Sequence, residues 1–315
     1  MPKTPIDPAL TLGGPTMGTR WSVLIDDTGA DPTLQSQFQA AVDEVDAQMS
    51  TWKPDSDLMR LNGAPLDAWV ALPDRLMTVL AAGLSVSHQT DGAFEMNVGD
   101  AVRAWGFGAE AINLDAIRAA SATRRVPAGQ ALELDPANNR ARKSAPLALD
   151  LSGIAKGYAV DRLAETAAHL GIAQALCAID GEVRAIGNRR TGRPWAVGID
   201  MPDDTASDQH STLALTDMAV ATSGDYRHFV TVATTRLSHT IDPRRGAPLV
   251  APPASVTVLS RSCMLADAMA TALMVMGDRA GSSFASDHAI SALFLHRASG
   301  GTMATGTGLF EVTAA

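Results

Sequence analysis

The spacing of apolar residues changes period irregularly along this chain, and that irregularity limits the folds open to it. Helical spacing covers residues 33–49 (Leu34, Phe38, Ala41, Val42, Val45, Met49) and 72–88 (Leu76, Val79, Leu80, Leu84, Val86), with a short third helix at 116–124. It returns at 154–170, closed by Gly171, and at 264–276, ended by Gly277. Strand-like runs fill much of the remainder: 19–26 after a Gly-rich turn, a hairpin within 130–151 around Asp135-Pro136-Ala137-Asn138-Asn139, then 175–179, 183–187, 195–199, 218–223, 229–234, 255–259, 292–296 and 308–312. Hairpins with helices inserted between them predict an α+β layered fold of mostly antiparallel sheets rather than a strictly alternating parallel one. Residues 204–212 read as a disordered loop.

Composition excludes several classes of function. With 315 residues and 46% hydrophobic content the chain buries a large core, and with only 4% aromatics that core must come from Ala, Leu, Val and Met. The net charge of −9, without clustered Lys and Arg, argues against a nucleic-acid surface. No run of about 18 apolar residues suggests a transmembrane segment. The first fourteen residues lack the basic and apolar regions of an export signal, so a cytoplasmic location is the expectation, with a periplasmic one, after removal of a leader, as the alternative. Cys177 and Cys263 sit in apolar segments and read as free buried thiols.

Chemistry concentrates in residues 238–273. His239, in Ser238-His239-Thr240-Ile241-Asp242-Pro243, is a candidate base, and Asp267 and Thr271 lie four apart on one helix face. A carboxylate and a hydroxyl so placed suit a hard cation, although the same pair occurs on ordinary helices. A second segment, Ala148-Leu149-Asp150-Leu151-Ser152-Gly153-Ile154-Ala155-Lys156-Gly157, runs from a strand through a Ser-Gly turn into a helix. Such a helix start offers unpaired N–H groups to an anion. Lys156 in the first turn opposes the helix dipole unless something negative faces it; a phosphate would serve, and the other reading is a lysine reaching into water. The spacing is not that of a Walker loop. Further fragments join glycines to ligand-lining side chains: Thr16-Met17-Gly18-Thr19, Asp91-Gly92-Ala93-Phe94-Glu95, Trp105-Gly106-Phe107-Gly108 and Ala221-Thr222-Ser223-Gly224-Asp225-Tyr226-Arg227. Turn geometry alone could account for each of those glycines.

Taken in order, these blocks, together with Met49-Ser50-Thr51-Trp52, resemble the FAD:protein FMN transferase family, often called ApbE-like, over nearly the whole chain. The resemblance implies a T-fold-related α+β fold, with residues 1–12 as an extension and 13–315 as one domain. It implies a magnesium-dependent enzyme that splits FAD, transfers FMN to a threonine of an acceptor flavoprotein and releases AMP. Carried over by motif, Asp267, Thr271 and the Gly153 carbonyl bind magnesium. Met17, Trp52, Ala93, Phe94, Glu95, Asp150, Lys156 and Ile241 fall on FAD-contacting positions, and His239 on the base. With an ordinary pKa near 6.5, a histidine can take a threonine proton near neutrality.

The chain departs from the family pattern at Glu95 and Trp52, where Asp and Tyr are usual, and at Asp180, where many members carry Gly. Two other functions fit the same residues. An FAD pyrophosphatase would use water as acceptor, which an aromatic cover at Trp52 disfavours, and a flavin-binding protein would bind without turnover.

Overall fold

The computed structural model describes residues 10–26, 31–202, 209–225, 229–232, 235–298 and 301–311. In chain order the strands are β1 Leu10–Thr16, β2 Thr19–Ile25, β3 Val70–Ala71, β4 Leu132–Asp135, β5 Arg140–Lys143, β6 Ala175–Ile179, β7 Glu182–Ile186, β8 Trp195–Asp200 and β9 Gln209–Leu215. They continue as β10 Ala219–Gly224, β11 Phe229–Val232, β12 Thr235–Ser238, β13 Ile241–Asp242, β14 Ala247–Pro248, β15 Ser255–Ser260, β16 Ser291–Ala298 and β17 Gly301–Gly306. The helices are α1 Leu34–Met49, α2 Asp57–Gly63, α3 Asp74–Gln89, α4 Gly99–Ala104, α5 Leu114–Ala122, α6 Ala128–Ala131, α7 Ala155–His169 and α8 Cys263–Asp287.

The main sheet has eight strands in the order β1-β2-β6-β7-β10-β15-β16-β17, every pair antiparallel. Alternation decides its faces: in β2, Trp21, Val23 and Ile25 point inward while Arg20 and Ser22 point out. The inward side chains meet Phe38, Val42 and Val45 of α1 and Val160, Leu163 and Ala167 of α7 in the principal core. Helix α8 continues this helical layer over β10, β15 and β16, its Ala266, Ala270 and Leu273 packing on Ala221, Val256 and Phe294. The opposite face of the sheet is covered by the β8–β9 ribbon, through Trp195 and Leu215 against Ala185 and Val220. This α+β, mostly antiparallel layering is the one expected. Among the described residues no helix is long and apolar enough to cross a membrane.

Several local expectations are corrected. Gly13-Gly14-Pro15 belongs to β1; the turn lies at Met17-Gly18, both with positive φ, as a two-residue hairpin with the twist of its strands requires. Gln209–Thr212 belong to β9 rather than to a loop, none of the four side chains being buried, while 204–208 lie outside the described residues. Gly308–Phe310 form a 3-10 turn instead of a strand, and the partner of β16 is β17. The helix expected to end at Gly277 does break there, with φ 77° and ψ 177°; what was not expected is a second helical segment that continues α8 to Asp287. Residues 57–63, which carry no obvious periodic signal, form α2, capped by Ser56 Oγ accepting from Met59 N–H at 3.1 Å.

Candidate active site

Neighbouring strands β7 and β10 are in register at only two residue pairs, Ala219 with Arg184 and Val220 with Val183. Ahead of Val183 the ladder stops because β7 begins at the Asp180-Gly181 turn while β10 runs on to Gly224, and a cavity of about 360 Å³ opens at this split. Its two sides are Asp180–Val183 and Thr222–Gly224; α8 supplies Asp267 and Thr271, the turn before α7 supplies Ser152 and Gly153, the first turn of α7 supplies Lys156, and β8 supplies Val197–Asp200. Ala93, Phe94, Glu95 and Asp150 line it from the helical side, and His239, Thr240 and Ile241 from the segment leading into β13. Sites far apart in sequence thus converge where the sheet is interrupted.

Helices α7 and α8 meet with almost no space between them. A Cβ on Gly157 would lie 2.4 Å from Cys263 O and 2.7 Å from Asp267 Cβ, so only glycine permits this approach. The Gly157 N–H donates to Asp267 Oδ2 at 2.9 Å. A Cβ on Gly153 would lie 3.0 Å from Thr271 Oγ1, and that hydroxyl is also 3.3 Å from Ser223 Oγ. The turn at Gly153 and the Asp267–Thr271 face therefore abut. Asp161, on α7, fixes the start of α8: its carboxylate accepts from Ser262 Oγ, Cys263 N–H and Met264 N–H and pairs with Arg184.

Lys156 Nζ is 3.1 Å from both oxygens of Glu182 and 3.4 Å from Asp180 Oδ2. The groups facing Lys156 are thus the protein's own carboxyls, and its position at the helix start is explained without a phosphate. Burial alone would lower the Lys156 pKa, but Glu182, Asp267 and Asp180 more than offset it and hold the ammonium charged. Burial also keeps the carboxyls of Glu182 and Asp267 above their usual range, despite the opposing charge of Lys156. Glu182 escaped the sequence reading because an acid following Asp180-Gly181 looks like a solvated turn; its inward position became visible only with the register of β6 on β7.

Other expected residues divide clearly. Ala93, Phe94, Glu95, Asp150, Lys156, Ile241, Gly153, Asp267, Thr271 and His239 all line the one cavity. Glu95 is also a structural acceptor, taking Asn97 N–H at 2.7 Å and Ala128 N–H at 3.1 Å. Asp150 Oδ1 takes Ser152 N–H at 2.9 Å, shaping the turn, and burial raises its pKa. Met17 and Trp52 do not line the cavity. Met17 sits in the β1–β2 turn against the principal core, while Trp52, 63% exposed, borders a separate depression with Met59, Arg103 and Ala119. An aromatic cover at Trp52 is therefore not part of this cavity's wall.

Comparison with known proteins agrees with this geometry. The ApbE family profile matches residues 17–294. An FAD:protein FMN transferase from Vibrio cholerae is 38% identical over 291 residues, spanning 90% of this chain and 86% of that protein. The solved flavin transferase ApbE from Vibrio cholerae superposes with a TM-score of 0.83 at 35% identity, covering 95% of this chain and 98% of that one. The apo flavinyl transferase ApbE of Pseudomonas stutzeri gives 0.83 at 35% identity, covering 95% and 94%. By profile, sequence and structure, the chain belongs to the ApbE family.

Proposed function

We propose that this protein is a magnesium-dependent FAD:protein FMN transferase that esterifies a threonine of an acceptor flavoprotein with FMN and releases AMP. One observation carries the reading: Gly153, Lys156, Asp267, Thr271 and His239, drawn from three separate segments, line one cavity at the split in the sheet. The names of the relatives support the substrate and the reaction.

The residues present fit a hard divalent cation. Asp267 Oδ2 is occupied by Gly157 N–H, and among the described residues its second oxygen takes no hydrogen bond. The Thr271 hydroxyl and the Gly153 backbone lie beside it. Three carboxyl groups, Asp180, Glu182 and Asp267, gather around Lys156, and a bound cation would favour the ionised forms that burial disfavours. Asp267, Thr271 and the Gly153 carbonyl would hold the ion, which supplies Lewis-acid stabilisation of the diphosphate when bound.

In the transfer, the threonine oxygen bonds to the phosphorus of the FMN half, and the anhydride bond to the AMP phosphate breaks. His239 takes the hydroxyl proton, and AMP departs with the bonding electron pair. Lys156, held charged, faces the phosphates from the start of α7 and offsets the charge that develops there. The test is a mixture of protein, FAD, magnesium and an acceptor domain. In-gel flavin fluorescence on the acceptor with stoichiometric AMP is expected; free FMN with an unlabelled acceptor would mark a pyrophosphatase, and no AMP at all a binding protein.

A further inference from the structure

The motif Trp105-Gly106-Phe107-Gly108 takes no part in the chemistry above, yet it stands directly behind His239. The Phe107 ring meets the imidazole edge-on, with centroids 6.4 Å apart and planes at 74°. Trp105 Nε1–H donates to the Gly246 carbonyl at 3.2 Å. Gly246 is the last residue of the turn joining β13 to β14, with φ 59°, and a Cβ there would strike the Arg125 guanidinium at 2.1–2.7 Å. The guanidinium therefore packs directly against the turn. Arg125 is itself fixed by Asp100, Nε to Oδ1 at 3.0 Å and Nη2 to Oδ2 at 2.6 Å.

The root of the same hairpin is held as firmly. Ile241 is buried among Ala101 and Ala104 of α4 and Ala120 of α5, and Leu249 N–H donates to Thr240 O at 3.0 Å. A hairpin of two residues per strand has little stability of its own, so its direction must come from what it packs on. His239 stands two residues before Ile241. Whatever sets the hairpin therefore helps to set the backbone from which the ring projects.

We propose that Trp105 and Phe107 are positioning residues for His239: Trp105 through the hairpin it anchors at Gly246, Phe107 through its ring edge against the imidazole. The proposal rests on the reading of His239 as the base. Neither residue is asked to touch FAD. Aromatic edge contacts fix mutual orientation, and a base displaced by about 1 Å loses roughly a hundredfold in rate.

The experiment uses the full chain with Phe107→Leu, Phe107→Tyr and Trp105→Phe, each alone and combined with His239→Ala. FAD dissociation constants come from flavin fluorescence, and kcat from AMP released in the presence of an acceptor domain. Phe107→Leu and Trp105→Phe are expected to lower kcat by about ten- to a hundredfold with FAD affinity unchanged. Phe107→Tyr, which keeps the ring, restores the rate, and neither lesion adds to His239→Ala. Equal losses with and without His239, or FAD binding weakened by the same factor as kcat, would overturn the proposal. If thermal unfolding shows Phe107→Leu to be misfolded, Trp105→Phe makes the same comparison while keeping the packed ring. Full transfer by His239→Ala removes the base itself, whereas an inactive His239→Ala beside unimpaired aromatic variants removes only the positioning role.

Discussion

The Gly157 N–H donates to Asp267 Oδ2 across 2.9 Å, tying the first turn of α7 to the second turn of α8. That single bond sets one oxygen of the carboxylate and leaves the other toward the cavity, so the contact between the helices also orients a candidate ligand. Gly157→Ala should therefore force α7 away from Cys263 O and Asp267 Cβ of α8. The expected loss is about 1–3 kcal/mol in urea unfolding, with transfer activity falling alongside. An unchanged midpoint would show that the helices can part at no cost.

Asn62 is the second joint. Its side chain donates to Leu149 O at 2.9 Å and accepts from Leu149 N–H at 2.8 Å, while Lys143 Nζ donates to the Asn62 carbonyl. The strand-like stretch that leads to Asp150 and Gly153 is thus paired with a side chain instead of a neighbouring strand. Asn62→Leu leaves both Leu149 groups without partners and should cost about 2–4 kcal/mol. A loss below about 0.5 kcal/mol in denaturant would mean that other groups can replace the amide.

Removal of the divalent cation should abolish AMP release. EDTA in excess is expected to stop turnover, added magnesium to restore it, and Asp267→Asn to resist that rescue because a neutral amide is a poor ligand for the ion. Full activity in the chelator would exclude the cation from the reaction.

Alkaline stability should reflect a buried thiol. Burial pushes Cys177 up to about 12, so between pH about 9 and 12 the unfolded chain has released a proton that the folded chain still holds. The unfolded state then binds fewer protons and stability falls as pH rises, by up to about 1.4 kcal/mol per pH unit from this group. Cys177→Ala should flatten that decline in denaturant midpoints measured at pH 8, 9 and 10. Parallel curves for the two proteins would show the thiol ionising equally in both states.

Where periodicity carried the information, the sequence was a sufficient guide: α1, α3 and α7 fall within about two residues of their expected bounds, and Asp267 and Thr271 share a face as their spacing demands. What could not be read is tertiary. Glu182 and Asp180 reach Lys156 because of a hairpin register, and the cavity lies where β10 runs on past the β6–β7 turn, neither of which leaves a local pattern. Strand β1 was hidden by glycines that usually mark turns but here allow the backbone of Gly13 to approach Trp21 O and Gly14 to approach the Trp21 ring. Trp52 and Met17 were assigned by motif alone, and motif does not say that they border a separate depression and the β1–β2 turn instead of lining the cavity.

The kink at Gly277 splits α8 into two levers with different loads. The segment before it presents Asp267 and Thr271 to the cavity, and the segment after it packs Gly281 against Phe294 of β16 and buries Ala285 in the same cluster. Because the axis breaks at one permissive torsion, repacking of the far segment against the sheet is absorbed at the hinge point instead of rotating the carboxylate and hydroxyl upstream. A tilt of the last turns against Phe294 therefore has no unbroken axis to carry it to the candidate ligands Asp267 and Thr271.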